Sequence, residues 1–367
     1  MEVEGFGYSK CMILGGYLAT NRQNTAIVLA LSPKVKCSAS FVENSSVNNL
    51  TINVTTHPFK HKFSFTPNDW LHVETFSKRF ERFILSSFHV FFTYMQNNSN
   101  LLETAKNKEI QISITGDPEF YTSKGKTGLG SSSATTVAII KCLLNLFPTS
   151  QLSSVKSVDL TKENLEKNMQ LIFKMASVSH SIAQGNIGSC FDISCSVWGS
   201  QMFRRPSTKF VSTEMLSEKW DNEHMPFKLP SFLKCYLLLT PFDGSSTVQL
   251  VRCFNDKSKQ DQENYEKLKQ NVSNAMKYIQ NGSLEQIQES FRSLRHFLRN
   301  LSITWDIEIV PPEVDEIASK VETLDGVVAV VIPGAGGYDS IAVLTKAQVE
   351  VDFSSLNLTV IASNSSV

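Results

Sequence analysis

The sequence predicts a chain of mixed strands and helices that is divided into two domains. Its 367 residues exceed the length that one hydrophobic core usually organises. Apolar runs typical of strands dominate up to Thr56, and the apolar spacing lengthens to that of a helix after Trp70. A polar stretch over 212–230, which ends in a proline, is the best candidate for the domain boundary.

Strands are predicted wherever a short apolar run is bounded by turn residues. Two such runs surround the polar break between Thr20 and Asn24, and a later one leads into Gly116-Asp117-Pro118. The predicted strands cover residues 11–18, 25–31, 35–42, 51–56, 110–114, 233–239, 327–332 and 340–344.

Helices are predicted where apolar residues recur three and four positions apart. Phenylalanines with this spacing indicate a helix over 70–94, and a glycine-rich turn precedes a second helix over 135–146. Residues 165–181 are a third helical segment, and 271–301 predicts two helices separated by Asn281-Gly282.

Composition and charge exclude several classes of protein. Thirty-five basic residues balance 35 acidic ones, so the chain lacks the charge of a protein that coats nucleic acid or binds a membrane through basic clusters. A small anionic ligand stays possible, because it needs only a few cations. Seven cysteines without a Cys-x-x-Cys pair, and dispersed histidines, indicate neither a disulfide framework nor a zinc site. With no basic and apolar leader and no apolar run of about 18 residues, we expect a cytoplasmic protein.

The most informative segment is the glycine- and serine-rich stretch 124–134, Lys-Gly-Lys-Thr-Gly-Leu-Gly-Ser-Ser-Ser-Ala, which precedes a predicted helix. Glycines let backbone N–H groups approach an anion, and the helix start adds unpaired donors and the positive end of its dipole. A Walker loop would need glycine at Phe120, and a dinucleotide loop would need glycine at Ser133, so both motifs fail. Three consecutive hydroxyls exceed what one N-cap needs, which favours a bound phosphate over a capped turn without a ligand.

Residues 128–134 resemble the phosphate-binding motif of the GHMP kinases, the family of galactokinase, homoserine kinase and mevalonate kinase. Two further motifs of that family have counterparts in this chain. Lys10 to Leu18 is similar to the N-terminal motif, and Pro333 to Asp339 is similar to the C-terminal glycine-rich loop. Because the order and spacing of all three agree, the resemblance covers essentially the whole chain.

Finer detail resembles the eukaryotic-type phosphomevalonate kinase branch of that family. His180 to Asp192 is similar to its His-Ser-x-Ala-Gln-Gly segment, and residues 126–132 are similar to its Lys-Thr-Gly-Leu-Gly-Ser-Ser stretch. Residues 244–248 and 336–339 are similar to its Gly-Ser-Ser-Thr and Gly-Gly-Tyr-Asp stretches.

Three departures from the family pattern accompany the resemblance. Tyr8-Ser9 replaces a Pro-Gly pair, and Cys190 stands where glycine is usual. Ser181 stands where mevalonate kinases have a metal-binding glutamate, which fits the phosphomevalonate kinase branch. These changes bear on efficiency more than on identity.

The resemblance implies an α+β fold of two lobes. A ribosomal-S5-like N-terminal lobe with the phosphate loop would cover residues 1–220, and a ferredoxin-like C-terminal lobe would cover 221–367. The active site would lie in the cleft between the lobes, since the motifs come from both ends of the chain.

Roles for individual residues follow from the same resemblance. The phosphate loop would bind ATP, with Ser132 as the magnesium ligand, while Lys10 and Lys126 would face the transferred phosphoryl group and the acceptor. Asp192 would be the catalytic aspartate that orients Lys10. The ATP-binding residues would be Gly128, Leu129, Gly130, Ser131, Ser132, Ser133 and Ala134.

Acceptor binding is expected from Lys126, Thr247 and the backbone around Ala335, which match acceptor-side positions of the family. Arg204 is a candidate anchor for a phosphate or carboxylate, and a solvated surface charge is the alternative interpretation. His180 is expected to be a structural hydrogen-bonding residue.

The function implied is the ATP- and Mg²⁺-dependent conversion of 5-phosphomevalonate to 5-diphosphomevalonate in isoprenoid and sterol biosynthesis. We expect a monomer or homodimer that binds neither nucleic acid nor membranes. The alternatives are mevalonate kinase or another small-molecule kinase of the family, diphosphomevalonate decarboxylase, and a nucleotide-binding regulator that has lost catalysis. A phosphate acceptor, whose second pKa is about 6, arrives already deprotonated; we therefore predict that Asp192 acts by electrostatics and alignment.

Overall fold

Two β-sheets form the frame of the molecule in the computed structural model, which describes residues 2–43, 50–58, 60–66, 79–98, 108–121, 127–147, 162–207, 212–242 and 247–364. The first sheet has the strand order β4-β3-β5-β2-β6-β7, with β1 paired to β2, and the second has the order β11-β8-β10-β9. The strands of the first sheet are β1 Glu2–Leu14, β2 Ala26–Glu43, β3 Thr51–His57, β4 Lys62–Phe65, β5 Lys108–Gly116, β6 Gln201–Arg204 and β7 Glu223–Pro226. Those of the second are β8 Leu233–Leu239, β9 Val327–Val331, β10 Ser340–Lys346 and β11 Thr359–Ser363.

Helices accompany each sheet. Within the described residues, four lie between the strands of the first sheet in the chain, namely α1 Arg79–Asn98, α2 Ser131–Leu146, α3 Lys162–Gln184 and α4 Phe191–Trp198. Four more lie between β8 and β9, namely α5 Thr247–Gln260, α6 Gln262–Asn281, α7 Leu284–Trp305 and α8 Pro312–Glu322. A continuous cluster of buried apolar side chains extends across both parts. Among the described helices, none combines the length and the apolar character that a membrane crossing requires.

Several predicted elements differ from the structure in instructive ways. The strand predicted over 11–18 is wrong at its end: β1 stops at Leu14, and Gly16–Thr20 forms a 3-10 helix. The reason is backbone geometry, since Gly15 has φ +110° and Gly16 has φ +43°, values that an extended strand cannot include. The strands predicted over 25–31 and 35–42 form one strand, β2, because Pro33 sits at a shift in the β1–β2 register that interrupts the pairing without ending the strand.

Other elements agree more closely. The strand at 233–239 is confirmed at both ends, and the helix predicted over 135–146 starts earlier, at Ser131. The helix expected over 70–94 is described from Arg79 to Asn98; its first predicted residues, up to 78, lie outside the described residues. The division at 220 stays a prediction, and β7 continues the first sheet to Pro226.

Two glycines of β1 fix the distance between this strand and α2. A Cβ atom on Gly5 would lie 2.3 Å from the carbonyl oxygen of Ala138, and one on Gly7 would lie 2.0 Å from that of Ala134. Only a residue without a side chain allows so close an approach of strand and helix backbones. The helix that follows the phosphate loop is therefore held directly against the strand that carries Lys10.

Candidate functional site

The glycine-rich loop has the conformation that a phosphate-binding turn requires. Gly128 and Gly130 have φ of +73° and +79°, a left-handed region that residues with side chains rarely adopt. The Ser133 hydroxyl donates to the Gly130 carbonyl at 2.7 Å, and the Ala134 N–H donates to the same oxygen at 3.1 Å. Helix α2 thus begins at Ser131 with its first N–H groups at the loop, where an anion is favoured.

Lys10 binds back onto this loop. Its backbone N–H donates to the Leu129 carbonyl at 3.1 Å, and its Nζ donates to the Gly128 carbonyl at 2.7 Å. The ammonium also lies 5.3 Å from the centroid of the Phe191 ring, within the range of a cation–π contact. The structure therefore brings the first and second motifs together and places a cation at the mouth of the phosphate loop.

Asp192 lies in the first turn of α4, and its Oδ1 accepts the Ile193 N–H at 2.9 Å. The same helix buries Cys195, whose pKa is raised by burial first; the Asp192 carboxylate adds to that rise and the Lys10 ammonium opposes it. Phe191, which packs on the Lys10 ammonium, is the neighbour of Asp192 in the chain, so the predicted lysine and aspartate are brought into one region.

Cys190 shows why glycine is usual at its position. It caps α4 with φ +63° and ψ +5°, in the left-handed region, which costs a residue with a side chain about 1–2 kcal/mol. Burial and the Asp192 carboxylate raise the pKa of its thiol, while Ser177 and Arg205 oppose the rise. The departure from the family pattern is thus a strained backbone directly before the predicted catalytic aspartate.

The C-terminal glycine-rich loop joins the same site. Its Gly334 N–H donates to the Met12 carbonyl at 3.3 Å, and the Tyr17 hydroxyl donates to the Ala335 carbonyl. A Cβ atom on Gly128 would lie 2.9 Å from the Ser340 hydroxyl, which follows that loop. All three sequence motifs therefore meet, although the chain separates the first from the third by more than 300 residues.

Ser132 faces helix α3. Its Oγ lies 3.1 Å from the Nε2 atom of His180. Within the described residues no three histidine, cysteine or carboxylate side chains form a metal-binding group. A magnesium ion bound with ATP does not require such a group, because it keeps several waters and binds one or two protein oxygens besides the phosphates. The Ser132 hydroxyl and the Asp192 carboxylate are oxygen donors that fit this pattern.

For two predicted residues, Thr247 and Arg204, the structure shows no hydrogen bond or ion pair with the three converging motifs, and a third lies outside the described residues. Thr247 is the exposed first residue of α5. Arg204 ends β6, where its guanidinium lies 3.1 Å from a Glu223 carboxylate oxygen and donates to the Thr25 hydroxyl at 3.3 Å; this ion pair agrees with the surface-charge alternative. Lys126 lies outside the described residues. The roles predicted for these residues, and for the others of the site, stay predictions.

Two residues that connect elements around the site were given no role from the sequence. Tyr17 is buried, and its ring stacks on Phe254 of α5 with centroids 4.2 Å apart. Burial and the nearby Cys253 raise the pKa of its hydroxyl, so it remains a hydrogen-bond donor. The sequence could have identified Tyr17 as a candidate, because it directly follows Gly15-Gly16 in the first motif.

Lys141 is the second overlooked residue. Its ammonium donates to the carbonyls of Ser196 and Val197 at 3.3 Å each, in the last turn of α4. Burial lowers the pKa of Lys141 to about 8. A cation here complements the negative end of the helix dipole and ties α4 to α2. No local signal identified it, because a lysine in a predicted helix is usually solvated.

The fold and the converging loops resemble those of the GHMP kinases. Residues 94–200 match the family model described as the GHMP kinases N terminal domain, which confirms the resemblance. The two-lobed α+β fold is confirmed as well. The structure of "Streptococcus pneumoniae Phosphomevalonate Kinase in Complex with Phosphomevalonate and AMPPNP" superposes with a TM-score of 0.66 at 17% identity, covering 99% of both chains.

Two curated relatives of this chain carry the name phosphomevalonate kinase. The "Phosphomevalonate kinase, peroxisomal" of Arabidopsis thaliana is 27% identical over 60% of this chain and 55% of its own length. The "Phosphomevalonate kinase" of Candida albicans is 23% identical over 91% of this chain and 87% of its own length. The chain thus spans little more than half the length of the Arabidopsis relative.

Proposed function

We propose that this protein transfers the γ-phosphoryl group of ATP to 5-phosphomevalonate and forms 5-diphosphomevalonate. The observation that carries the proposal is the convergence of the three motifs: Lys10 is bonded to the phosphate loop, and Tyr17 is bonded to the C-terminal loop. The names of the relatives supply the acceptor.

The nucleotide would bind at the start of α2. Phosphoryl transfer needs positioning and charge neutralisation more than covalent help. The N–H groups at the beginning of α2 supply fixed donors for the phosphates, and the left-handed Gly128 and Gly130 let the loop backbone approach them. Magnesium, which neutralises charge on the phosphates when bound, would be held by the Ser132 hydroxyl.

Lys10 would exchange partners when substrates bind. Its ammonium donates to the Gly128 carbonyl in the structure described here. A phosphate oxygen is a stronger acceptor than a neutral carbonyl, because the hydrogen bond is then assisted by charge on both partners. We infer that Lys10 turns from Gly128 to the transferred phosphoryl group, with Asp192 holding its orientation.

Asp192 is proposed to act through its charge. The acceptor phosphate loses its second proton near pH 6, so at neutral pH little remains for a general base to remove. Asp192→Asn should then lower kcat at every pH by a similar factor. A rate that recovers at high pH, along the titration of a single base, would overturn this role.

One assay separates the proposed function from its alternatives. The purified protein is incubated with ATP, Mg²⁺ and, separately, mevalonate, 5-phosphomevalonate or 5-diphosphomevalonate. ADP formation with 5-phosphomevalonate alone supports the proposal. ADP formation with mevalonate indicates a mevalonate kinase, carbon dioxide release from the diphosphate indicates the decarboxylase, and ATP binding without turnover indicates a regulator.

We also propose that the protein acts in the cytoplasm as a monomer or homodimer. The dispersed cysteines, which the structure shows as free thiols, support the cytoplasmic assignment, because thiols stay reduced in that compartment. Fractionation of cells and light scattering of the purified protein test the two statements separately.

A further inference from the structure

A contact between Ser132 and His180 joins the phosphate loop to α3. His180 is 6% exposed, and its ring packs against the buried Phe83 with centroids 4.9 Å apart. Its Nε2 atom lies 3.1 Å from Ser132 Oγ. Packing on one side and the loop on the other therefore fix where this nitrogen lies.

A second contact indicates which atom carries the proton. One helical turn further along α3, the amide Nε2 of Gln184 lies 3.4 Å from the same ring nitrogen. Because an amide nitrogen can only donate, this contact favours the tautomer in which the imidazole Nε2 accepts and the ring proton is on Nδ1. The hydrogen between Ser132 and His180 then belongs to the serine hydroxyl.

This direction matters for the serine oxygen. A hydroxyl that donates its hydrogen to His180 keeps both lone pairs of Oγ, which are the electrons that a cation needs. Ser133, the next residue, differs: its hydroxyl donates to the Gly130 carbonyl of the loop itself. The two adjacent serines of this motif thus have different hydrogen-bond partners. The Ser132 hydroxyl is bound by a side chain of α3, whereas the Ser133 hydroxyl is bound by the loop.

We propose that His180 is a positioning residue that fixes the hydroxyl of Ser132 so that its oxygen stays available to a magnesium ion bound with ATP. The inference rests on the proposed function, because Ser132 matters as a ligand only if ATP and magnesium bind here. Without this acceptor, the serine hydroxyl would turn back to a carbonyl of its own helix, as serines in helices commonly do.

Two variants of His180 distinguish its hydrogen bond with Ser132 from its ring packing against Phe83. His180→Phe removes the acceptor and keeps a ring against Phe83, whereas His180→Gln supplies a carbonyl oxygen that can accept from Ser132. Binding of Mn²⁺, as a probe for Mg²⁺, to the complex with a nonhydrolysable ATP analogue is followed by electron paramagnetic resonance. Thermal unfolding of each variant reports on the fold.

His180→Phe should weaken Mn²⁺ binding about 10–100-fold, the usual effect of losing a residue that orients a metal ligand. His180→Gln should retain most of the affinity. Loss of Mn²⁺ affinity in a folded His180→Gln protein, or full affinity in a folded His180→Phe protein, would overturn the proposal. If His180→Phe does not fold, the affinity of His180→Gln alone tests it.

Double variants test whether His180 acts through Ser132. In a Ser132→Ala background, His180→Phe should cause no further loss of Mn²⁺ affinity, whereas in the control background Ser133→Ala it should cause the full loss. Equal losses in both backgrounds would overturn the inference. A wild-type protein that does not bind the nucleotide would instead refute the proposed function, so the two failures are distinguishable.

Discussion

Gly7→Ala is the substitution that most directly tests how the site is built. The added Cβ atom would lie 2.0 Å from the carbonyl oxygen of Ala134, 2.7 Å from its carbonyl carbon and 2.8 Å from its Cα. All three atoms belong to the backbone of α2, so no side chain can rotate away. The first turn of α2 would have to move from β1 by roughly 1 Å to relieve the overlap.

Two consequences follow from this displacement. Overpacking of this kind costs about 1–3 kcal/mol of the free energy of unfolding. The displacement also separates Lys10 from the Leu129 carbonyl, 3.1 Å from its N–H, and shifts the N–H groups proposed to bind phosphate. A misplacement of about 1 Å can cost about 100-fold in rate.

Urea unfolding measures the first effect, and calorimetric titration with ATP together with kcat measures the second. Gly188→Ala is the matched control. Its Cβ atom would lie 3.9 Å from the Cys190 nitrogen, an ordinary van der Waals distance, so its free energy of unfolding should change by less than about 0.5 kcal/mol. If Gly7→Ala unfolds and binds ATP like this control, the close approach of β1 and α2 does not organise the site.

Three further predictions concern residues around the site. Cys190→Val should be destabilised relative to Cys190→Gly by about 1–2 kcal/mol in urea unfolding, because a β-branched residue fits a left-handed backbone poorly; equal stabilities would contradict the strain. Tyr17→Phe, which loses the hydrogen bond to Ala335 and keeps the ring, should raise KM for the acceptor more than KM for ATP, and unchanged KM values would argue against a role of that contact. Burial lowers the pKa of Lys141 from its ordinary 10.5 to about 8 in the folded protein. Between these two pH values the lysine is therefore protonated in the unfolded chain and largely neutral in the folded protein. Stability should therefore rise with pH across that window in the wild type relative to Lys141→Met, by at most about 3 kcal/mol; a constant difference between urea titrations at neutral and alkaline pH would refute it.

The fold shows where the departure at Tyr8-Ser9 from the family pattern lies. Tyr8 and Ser9 flank a shift in the β1–β2 register, so the usual Pro-Gly pair is replaced at a point where the strand is already irregular. The Tyr8 carbonyl accepts the Ser196 hydroxyl of α4 at 2.6 Å. Since Asp192 lies on the same helix, the altered segment still connects the strand of Lys10 to the helix of the predicted catalytic aspartate.

Local patterns were sufficient to predict much of the fold. The strand at 233–239 and the helix after the phosphate loop follow from apolar spacing and from glycines that start a turn. Several elements that were not predicted are short: α4 has eight residues, and β6 and β7 have four each. The longer helices α5 and α8 were not predicted either. Short segments contain too few residues to establish a period, and their structure is decided by the surfaces on which they pack.

The three glycine-rich motifs, their order and their likeness to one family were determined by the sequence alone, because turns and helix starts depend on local residue types. Only the tertiary structure decided which side chains meet. Lys10 reaches the Gly128 carbonyl, His180 reaches Ser132, and Lys141 binds the end of α4. Each of these contacts joins elements that are distant in the chain, and their partners are selected by close packing, which no local pattern encodes.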